Sequence, residues 1–126
     1  MLSKLQKVLL VAATLLAPSL AAWAGQPFDA EAFQSAQAAE KVILVDVAAP
    51  WCPTCRQQRP IVEQIEREKP DLVVFDVDFD TAKEVLKQFH VQYQSTLILF
   101  RGTREVGRSI GETDPTLIRS LIAKAF

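Results

Sequence analysis

The chain has few cysteines and histidines, the residues that form most zinc sites. It has two cysteines, Cys52 and Cys55, and one histidine, His90, among 126 residues. A zinc site normally takes four ligands, such as two CxxC units or one CxxC with two histidines. The chain supplies neither set, so carboxylates would have to complete a site. We therefore expect no zinc site.

The chain also lacks a strong charge of either sign. Its 14 basic and 15 acidic side chains give a net charge of −1. Proteins that bind nucleic acids usually carry a basic patch or stripe, so we expect no nucleic-acid partner. The length is sufficient for one domain with one core, and no linker, repeat or second domain is evident.

The first 24 residues differ in composition from the rest. Lys4 and Lys7 precede an apolar, uncharged stretch at 8–22, and Ala22-Trp23-Ala24 fits a small-x-small cleavage pattern. This order is typical of a secretory signal peptide. The apolar stretch is shorter than the roughly 20 residues that a membrane-spanning helix needs. We therefore expect residues 1–24 to be removed, with an uncleaved membrane anchor as the alternative.

The remaining residues, 25–126, would enter the periplasm, which is an oxidising compartment for thiols. Their hydrophobic periodicity predicts the order α-β-α-β-α-β-β-α. The βα alternation favours a parallel start to the sheet, and a short link near Gly102 favours an antiparallel hairpin at its end. The predicted elements are a helix after Asp29, a strand at 42–47, a helix at 56–69 interrupted by Pro60, a strand at 71–80, a helix at 81–90, a strand at 95–100, a strand at 105–111 and a helix from Pro115.

The segment WCPTC, residues 51–55, holds both cysteines between a predicted buried strand and a helix. A structural disulfide of this spacing would close a very small loop and constrain little of the unfolded chain. A thiol at a helix N-terminus is favoured as the thiolate, and its pKa can fall from about 8.5 to between about 3.5 and 7.5. One turn further on, a second thiol can attack a mixed disulfide. This arrangement favours a redox couple, with Cys52 as the nucleophile and Cys55 as the resolving residue.

The motif WCPTC on a strand-to-helix turn resembles the thioredoxin superfamily, and the resemblance covers all of residues 25–126. Asp46, six residues before Cys52, matches the family's buried aspartate, and Pro60 matches the proline of the active-site helix. The resemblance implies a thioredoxin-like fold, a three-layer α/β/α domain with a central mixed sheet of about four strands. It also implies thiol–disulfide oxidoreductase activity that needs no cofactor beyond the redox-active disulfide of the two cysteines.

The resemblance further implies which residues face a substrate. Trp51 is expected to pack beside the cysteines, and Gly111 on the far strand would let a substrate approach. The predicted substrate-facing residues are Trp51, Pro53, Thr54, Gln94, Ser95, Thr96 and Gly111. Arg56 and Arg59 could favour the Cys52 thiolate or contact a partner, or could simply lie on a solvated helix face.

Asp46 lies inside an apolar run, VILVDVAA, and burial there would raise the pKa of its carboxyl. It could then take the proton of Cys55, through a water, as that thiol becomes a nucleophile; the alternative is an edge or capping aspartate. The family usually has a lysine on the neighbouring strand, where this chain has Asp76. If both carboxylates face the same interior, one should keep its proton; if Asp76 faces outward, this effect disappears.

Ser95 occupies the position of the family's cis-proline. A cis bond before a non-proline residue costs about 3–4 kcal/mol, so we expect a trans bond between Gln94 and Ser95 and a rearranged loop. In the family this loop offers backbone groups to an extended substrate and shields the sulfurs. Loss of the proline would then open the cysteines to copper(I) or to an iron–sulfur cluster shared between two chains. Ala48, where an aromatic residue is frequent, would open the rim further.

These observations predict a periplasmic reductant of protein disulfides. The periplasm is oxidising by default, and a small domain without substrate-binding insertions fits the reducing direction. The resemblance implies a monomer that acts on cysteine-containing periplasmic proteins and takes electrons from a membrane thiol carrier of the DsbD or CcdA type. The alternatives are a disulfide oxidase or isomerase, and a metal-handling protein that uses the same cysteines.

Overall fold

A computed structural model describes residues 25–126, so the predicted signal segment lies outside the described residues. No helix in that part of the chain has the length and apolar character needed to cross a membrane. Four helices and five strands lie within 25–126. Their bounds are β1 Gln26–Pro27, α1 Ala30–Ala38, β2 Val42–Ala48, α2 Pro53–Glu68, β3 Leu72–Asp78, α3 Lys83–Gln88, β4 Thr96–Arg101, β5 Arg104–Ile110 and α4 Pro115–Ala123.

The strands form one mixed sheet in the order β1-β3-β2-β4-β5. β1, β3 and β2 are parallel, whereas β4 and β5 add to β2 as an antiparallel pair. The predicted α/β fold and mixed sheet are thus confirmed. The fifth strand is β1, which pairs only Gln26 and Pro27 with β3. Two residues are too few for a period-two pattern, so sequence periodicity cannot reveal this strand.

Local sequence accounts for where two of the helices begin. The side chain of Asp29 accepts a hydrogen bond from the Ala32 N–H at 2.8 Å and caps α1. Asp114 accepts one from the Thr116 N–H at 2.8 Å, with proline at the first position of α4. Such caps satisfy N–H groups that have no partner within the helix. α2 contains Pro60 and continues through it as one helix from Pro53 to Glu68.

The sheet separates two apolar layers. On one face, Val42 and Leu44 of β2 pack with residues of α2 and α4. On the other, Ile43 and Val45 pack with residues of α1 and α3, including a cluster of phenylalanines. Full burial of one such side chain stabilises the fold by about 1.5–3 kcal/mol. Because side chains alternate along a strand, the next even-numbered residue of β2, Asp46, faces α2.

Candidate active site

The two cysteines form a disulfide at the start of α2. Cys52 is the N-cap residue of this helix, and its sulfur accepts a hydrogen bond from the Cys55 N–H at 3.1 Å. The turn from β2 into the helix is closed by a hydrogen bond from the Cys52 N–H to the Ala49 carbonyl at 3.1 Å. Pro53 takes the first helical position, where its missing N–H removes no helical bond. The predicted strand-to-helix turn is therefore confirmed.

Both cysteines are nearly enclosed by protein. Cys52 is 1% exposed and Cys55 is 3% exposed. Ala48, itself 6% exposed, packs against them together with Phe79. The prediction that serine at position 95 and alanine at position 48 open the site is therefore wrong. Ser95 is only 3% exposed and fills the space beside the sulfurs.

Ser95 lies directly against the disulfide. Its Oγ is 3.3 Å from the Cys52 Sγ and 3.5 Å from the Cys55 Sγ. None of the peptide bonds within residues 25–126 is cis, so the bond between Gln94 and Ser95 is trans, as predicted. The backbone of Ser95 instead takes a left-handed conformation, with φ of 62°. This conformation is uncommon for any residue except glycine.

Gln58 is a site residue that the sequence interpretation missed. It is 0% exposed, and its Nε2 donates to the Ser95 carbonyl at 3.2 Å and to the Glu112 carbonyl at 2.8 Å. The amide thus joins α2 to two loops beside the disulfide. A sequence signal existed, because position 58 belongs to the buried stripe of α2 together with Cys55 and Val62. A polar residue in an apolar helical stripe indicates a specific buried hydrogen bond.

Asp46 and Asp76 are paired neighbours on the parallel strands β2 and β3. Asp46 is 5% exposed and Asp76 is 7% exposed. Asp76 follows Leu72 and Val74, which pack against α2 and α4, so it points to the same layer as Asp46. Its Oδ2 accepts a hydrogen bond from the Gly25 N–H at 2.8 Å. Of the two orientations left open for Asp76, the structure has the inward one.

Burial raises the pKa of Asp46 to about 7, the negative charge of Asp76 adds to this rise, and the Arg59 guanidinium opposes it. Burial likewise raises the pKa of Asp76 to about 6, and the hydrogen bond from the Gly25 N–H opposes that rise. Like-charged carboxylates in one buried layer titrate as a coupled pair. The pair can therefore take up and release a proton close to neutral pH.

One stripe of α2 faces this pair. Arg59, Glu63 and Glu66 follow one another at helical spacing and are all half-buried. The positive charge of Arg59 lowers the pKa of both aspartates, whereas Glu63 and Glu66 raise that of Asp76. The cation that lowers the pKa of this pair therefore comes from α2, whereas the resemblance places a lysine on the neighbouring strand, where this chain has Asp76.

Trp51 lies at the rim of the site. Its side chain is 52% exposed, and its Nε1 donates to both carboxylate oxygens of Asp80, at 2.8 and 3.1 Å. Two other large apolar side chains, Tyr93 and Ile110, are also exposed. Both belong to segments that adjoin Ser95, since Tyr93 precedes it by two residues and Ile110 pairs with Thr96. The disulfide is therefore bordered by an exposed apolar rim of Trp51, Tyr93 and Ile110.

The other predicted surface residues differ in accessibility. Pro53 is exposed, Thr54 and Gln94 are half-buried, and Thr96 is buried with its hydroxyl donating to the Tyr93 carbonyl at 2.7 Å. Gly111 has φ of 72°, and no atom lies within 4 Å of the position that a Cβ would take. Its surface is therefore open to an approaching chain.

Two further residues lie exposed on the surface. Arg56 is exposed, and its guanidinium donates to the Pro50 carbonyl at 3.4 Å. His90 is an exposed residue just after α3 with φ of 54°. Within residues 25–126, no group of three or more histidine, cysteine, aspartate or glutamate side chains is arranged to hold a metal ion.

Comparison with known proteins identifies the family. The family model described as Thioredoxin matches residues 25–124. A thioredoxin of Chlamydia trachomatis is 35% identical over 86 residues, which are 68% of this chain and 84% of the relative. Thioredoxin-1 of Saccharomyces cerevisiae is 32% identical over 94 residues, covering 75% of this chain and 90% of the relative.

A solved structure gives the same result. The crystal structure of Trxlp from Edwardsiella tarda is 45% identical and superposes with a TM-score of 0.74, covering 77% of this chain and 96% of the other. The residues matched by the family model, 25–124, contain the disulfide, the buried carboxylates and the sheet described above. The chain therefore belongs to the thioredoxin family and is a thiol–disulfide oxidoreductase that uses its own Cys52–Cys55 pair.

Proposed function

We propose that the protein is an exported, monomeric reductant of protein disulfides. The observation that carries the chemistry is the disulfide at the start of α2, the helix whose buried side covers the layer that holds Asp46 and Asp76. The support for export is the signal-like composition of residues 1–24. The clients would be periplasmic proteins with cysteines, and a membrane thiol carrier would restore the dithiol.

In the reductive half-reaction, the Cys52 thiolate attacks one sulfur of a client disulfide. A new bond joins Cys52 to the client, and the client's other sulfur leaves as a thiolate and takes a proton. The Cys55 thiolate then attacks the sulfur of Cys52, and the client's second sulfur leaves in the same way. Two electrons pass to the client, and the disulfide of the protein forms.

Asp46 would accept the proton of Cys55 in the second step. Both residues face the layer between the sheet and α2, where Asp46 is 5% exposed and Cys55 is 3% exposed. A base is most effective when its pKa lies near the working pH, and burial raises the pKa of Asp46 to about 7. The transfer would run through a water between the two groups.

Client binding would use the exposed apolar rim of Trp51, Tyr93 and Ile110. An extended client segment could lie across this rim and alongside Gly111, whose surface carries no side chain. Apolar contact would supply affinity without demanding a particular sequence, which suits a reductant of several clients. The half-buried Thr54 and Gln94 and the exposed Pro53 border the same surface.

A redox titration of the cysteine pair against glutathione or dithiothreitol tests the direction of electron transfer. For a reductant we expect a potential near the thioredoxin value of about −270 mV. A value near about −120 mV, as in a strong oxidant, would assign the protein to disulfide formation instead. If the purified protein carries no metal and reduces insulin in the presence of dithiothreitol, a redox function is supported and the metal-handling alternative is contradicted.

Export is tested by expressing the full chain in a bacterium and separating the cell fractions. We expect the protein in the periplasmic fraction, with Gly25 as its first residue by mass spectrometry. An intact chain beginning at Met1 in the membrane fraction would instead support an uncleaved anchor. Size-exclusion chromatography of residues 25–126 should give the mass of a monomer.

A further inference from the structure

The hydroxyl of Ser95 contacts both sulfurs of the redox pair. Its Oγ is 3.3 Å from the Cys52 Sγ and 3.5 Å from the Cys55 Sγ. Neither sulfur of a disulfide carries a proton, so the hydroxyl is the donor, and its single proton is directed to one sulfur or shared between the two, with Cys52 Sγ the nearer acceptor. Within residues 25–126, the two sulfurs are the only hydrogen-bond partners of this hydroxyl.

The backbone around Ser95 holds the hydroxyl in this place. The Ser95 N–H donates to the Val47 carbonyl at 2.8 Å, and the Ser95 carbonyl accepts from the Gly111 N–H at 3.0 Å and from Gln58 Nε2 at 3.2 Å. These bonds anchor the residue to β2, to the loop after β5 and to α2. A left-handed conformation at a non-glycine residue persists only where the surroundings impose it, and here three separate elements do so.

Cys52 therefore has two hydrogen-bond donors aimed at its sulfur. One is the Cys55 N–H at 3.1 Å, which belongs to the helix start, and the other is the hydroxyl of Ser95. Hydrogen bonds to an ionised acceptor are roughly twice as strong as those between neutral groups. The environment is nearly water-free, since Cys52 is 1% exposed, and this strengthens the contact further.

We propose that Ser95 is a catalytic residue whose hydroxyl donates a hydrogen bond to the Cys52 thiolate of the reduced protein. The hydroxyl keeps its proton throughout. When the electron-donating protein reduces the disulfide, its second thiolate attacks its own sulfur in the mixed disulfide with Cys52; a disulfide forms within that protein, the bond to Cys52 breaks, and the electron pair of the broken bond remains on Cys52. The hydroxyl stabilises that charge, and it also stabilises the thiolate that later attacks a client.

The proposal rests on the thiol–disulfide exchange of the family and not on the proposed direction of electron transfer. Stabilising the thiolate favours the reduced state and makes the potential less negative. With the Ser95 hydroxyl, the protein is thus a milder reductant than it would be without that hydroxyl. It also increases the fraction of Cys52 that is a nucleophile at neutral pH.

The test compares wild type with Ser95→Ala and Ser95→Gly. Alanine keeps the Cβ in the same backbone conformation, whereas glycine relieves the left-handed strain, so the two variants share only the loss of the hydroxyl. Ser109→Ala is the matched control, because it removes another buried hydroxyl, on β5, that does not contact the sulfurs. Circular dichroism of each oxidised variant checks the fold.

The measurements are the pH midpoint of Cys52 thiolate formation, from absorbance at 240 nm and from iodoacetamide alkylation rates, and the reduction potential. Both Ser95 variants should raise the midpoint by about one to two pH units, the effect of one hydrogen bond to a charged group. Each tenfold loss of thiolate stability should make the potential about 30 mV more negative. The proposal would be overturned if both Ser95 variants kept the wild-type midpoint of Cys52 thiolate formation. It would also be overturned if Ser109→Ala shifted that midpoint by as much as the Ser95 variants do.

Discussion

Asp46 and Asp76 are direct partners in the register of the parallel strands β2 and β3, and both carboxylates point into the layer beneath α2. The two strands thus bring a pair of like charges together in a buried place. Burial raises the pKa of each carboxyl, to about 7 for Asp46 and about 6 for Asp76. Between these values and the ordinary value of 3.8, the folded protein keeps protons on the pair that the unfolded chain has already released. The free energy of unfolding must therefore depend on pH through this pair.

Asp46→Asn should make the folded protein more stable above neutral pH. The pKa of Asp46 is higher in the folded state than its ordinary value of 3.8, so its contribution to stability is fully present below about pH 4 and is lost as the pH rises through 7. Removing the charge should recover on the order of 2–4 kcal/mol at pH 8.5 and almost nothing at pH 4. Urea unfolding across this range measures the difference.

The exposed Asp71→Asn provides the matched control for that experiment. Its stability should follow the wild-type curve at every pH. If the curves of Asp46→Asn and wild type ran parallel from pH 4 to pH 8.5, the raised pKa of Asp46 would be contradicted.

The charges around Asp46 should move the pH dependence of disulfide reduction in opposite directions. Asp76→Asn removes the negative charge that raises the pKa of Asp46, and Arg59→Gln removes the positive charge that lowers it. If Asp46 accepts the Cys55 proton, the acid limb of the rate profile should shift to lower pH in Asp76→Asn and to higher pH in Arg59→Gln. Single-turnover rates of insulin reduction between pH 5 and 9 measure both.

Arg67→Gln is the control for this pair, because it removes a cation from the other end of α2 that does not act on Asp46. Its acid limb should coincide with that of wild type. Shifts of the same sign in Asp76→Asn and Arg59→Gln would exclude Asp46 as the group that the profile reports.

Gln58→Met should loosen the loop that carries Ser95. The change keeps much of the volume of the side chain but removes the donor to the Ser95 and Glu112 carbonyls. Leaving buried carbonyl groups without this donor should cost about 1–3 kcal/mol. We also expect faster alkylation of reduced Cys52 at pH values well above its thiolate midpoint, where only access limits the rate, because the covering residue is held less firmly.

Gln57→Met is the matched control, since it makes the same substitution at the exposed neighbour on α2. Chemical denaturation and alkylation kinetics should both give wild-type values for it. Equal stability of the two methionine variants would show that the buried amide does not support the loop.

Much of the fold and the reactive pair could be predicted from sequence, because both depend on local patterns. The buried strand, the capped helices and the spacing of the cysteines each leave a signature in consecutive residues. The inward orientation of Asp76 could not be predicted, since strand polarity patterns are ambiguous where both faces are covered. The register that places it beside Asp46 is a long-range property of two strands.

Ser95 illustrates a second limit of the sequence. Replacement of a proline by a smaller polar residue predicts an open site, but the backbone has a left-handed conformation that places the serine against the sulfurs. That conformation depends on Gln58 and Gly111, which hold the Ser95 carbonyl from two distant segments. Such a tertiary constraint cannot be read from the residue itself.

Ile110→Ser should weaken the binding of protein clients without affecting the redox chemistry. Ile110 is 59% exposed on the apolar rim beside the disulfide, and loss of its contact area should raise KM for insulin roughly tenfold. The rate with a small aromatic disulfide should stay the same, because that substrate needs no such surface. Steady-state kinetics with both substrates measure the difference.

Leu117→Ser is the control for surface hydrophobicity, because Leu117 is 52% exposed on α4, in a segment that does not adjoin the disulfide. It should leave KM for insulin unchanged. An equal rise in KM for both variants would contradict the assignment of the rim as the client surface.

The most direct test of the account is to trap the intermediate of disulfide exchange. Cys55→Ser removes the resolving thiol, so a client disulfide should accumulate as a mixed disulfide with Cys52, visible by mass spectrometry under non-reducing conditions. Cys52→Ser, the matched variant, should form little of it, because Cys55 is not the attacking residue. Equal trapping by both variants, or trapping through Cys55 alone, would contradict the assignment of Cys52 as nucleophile and Cys55 as resolving residue.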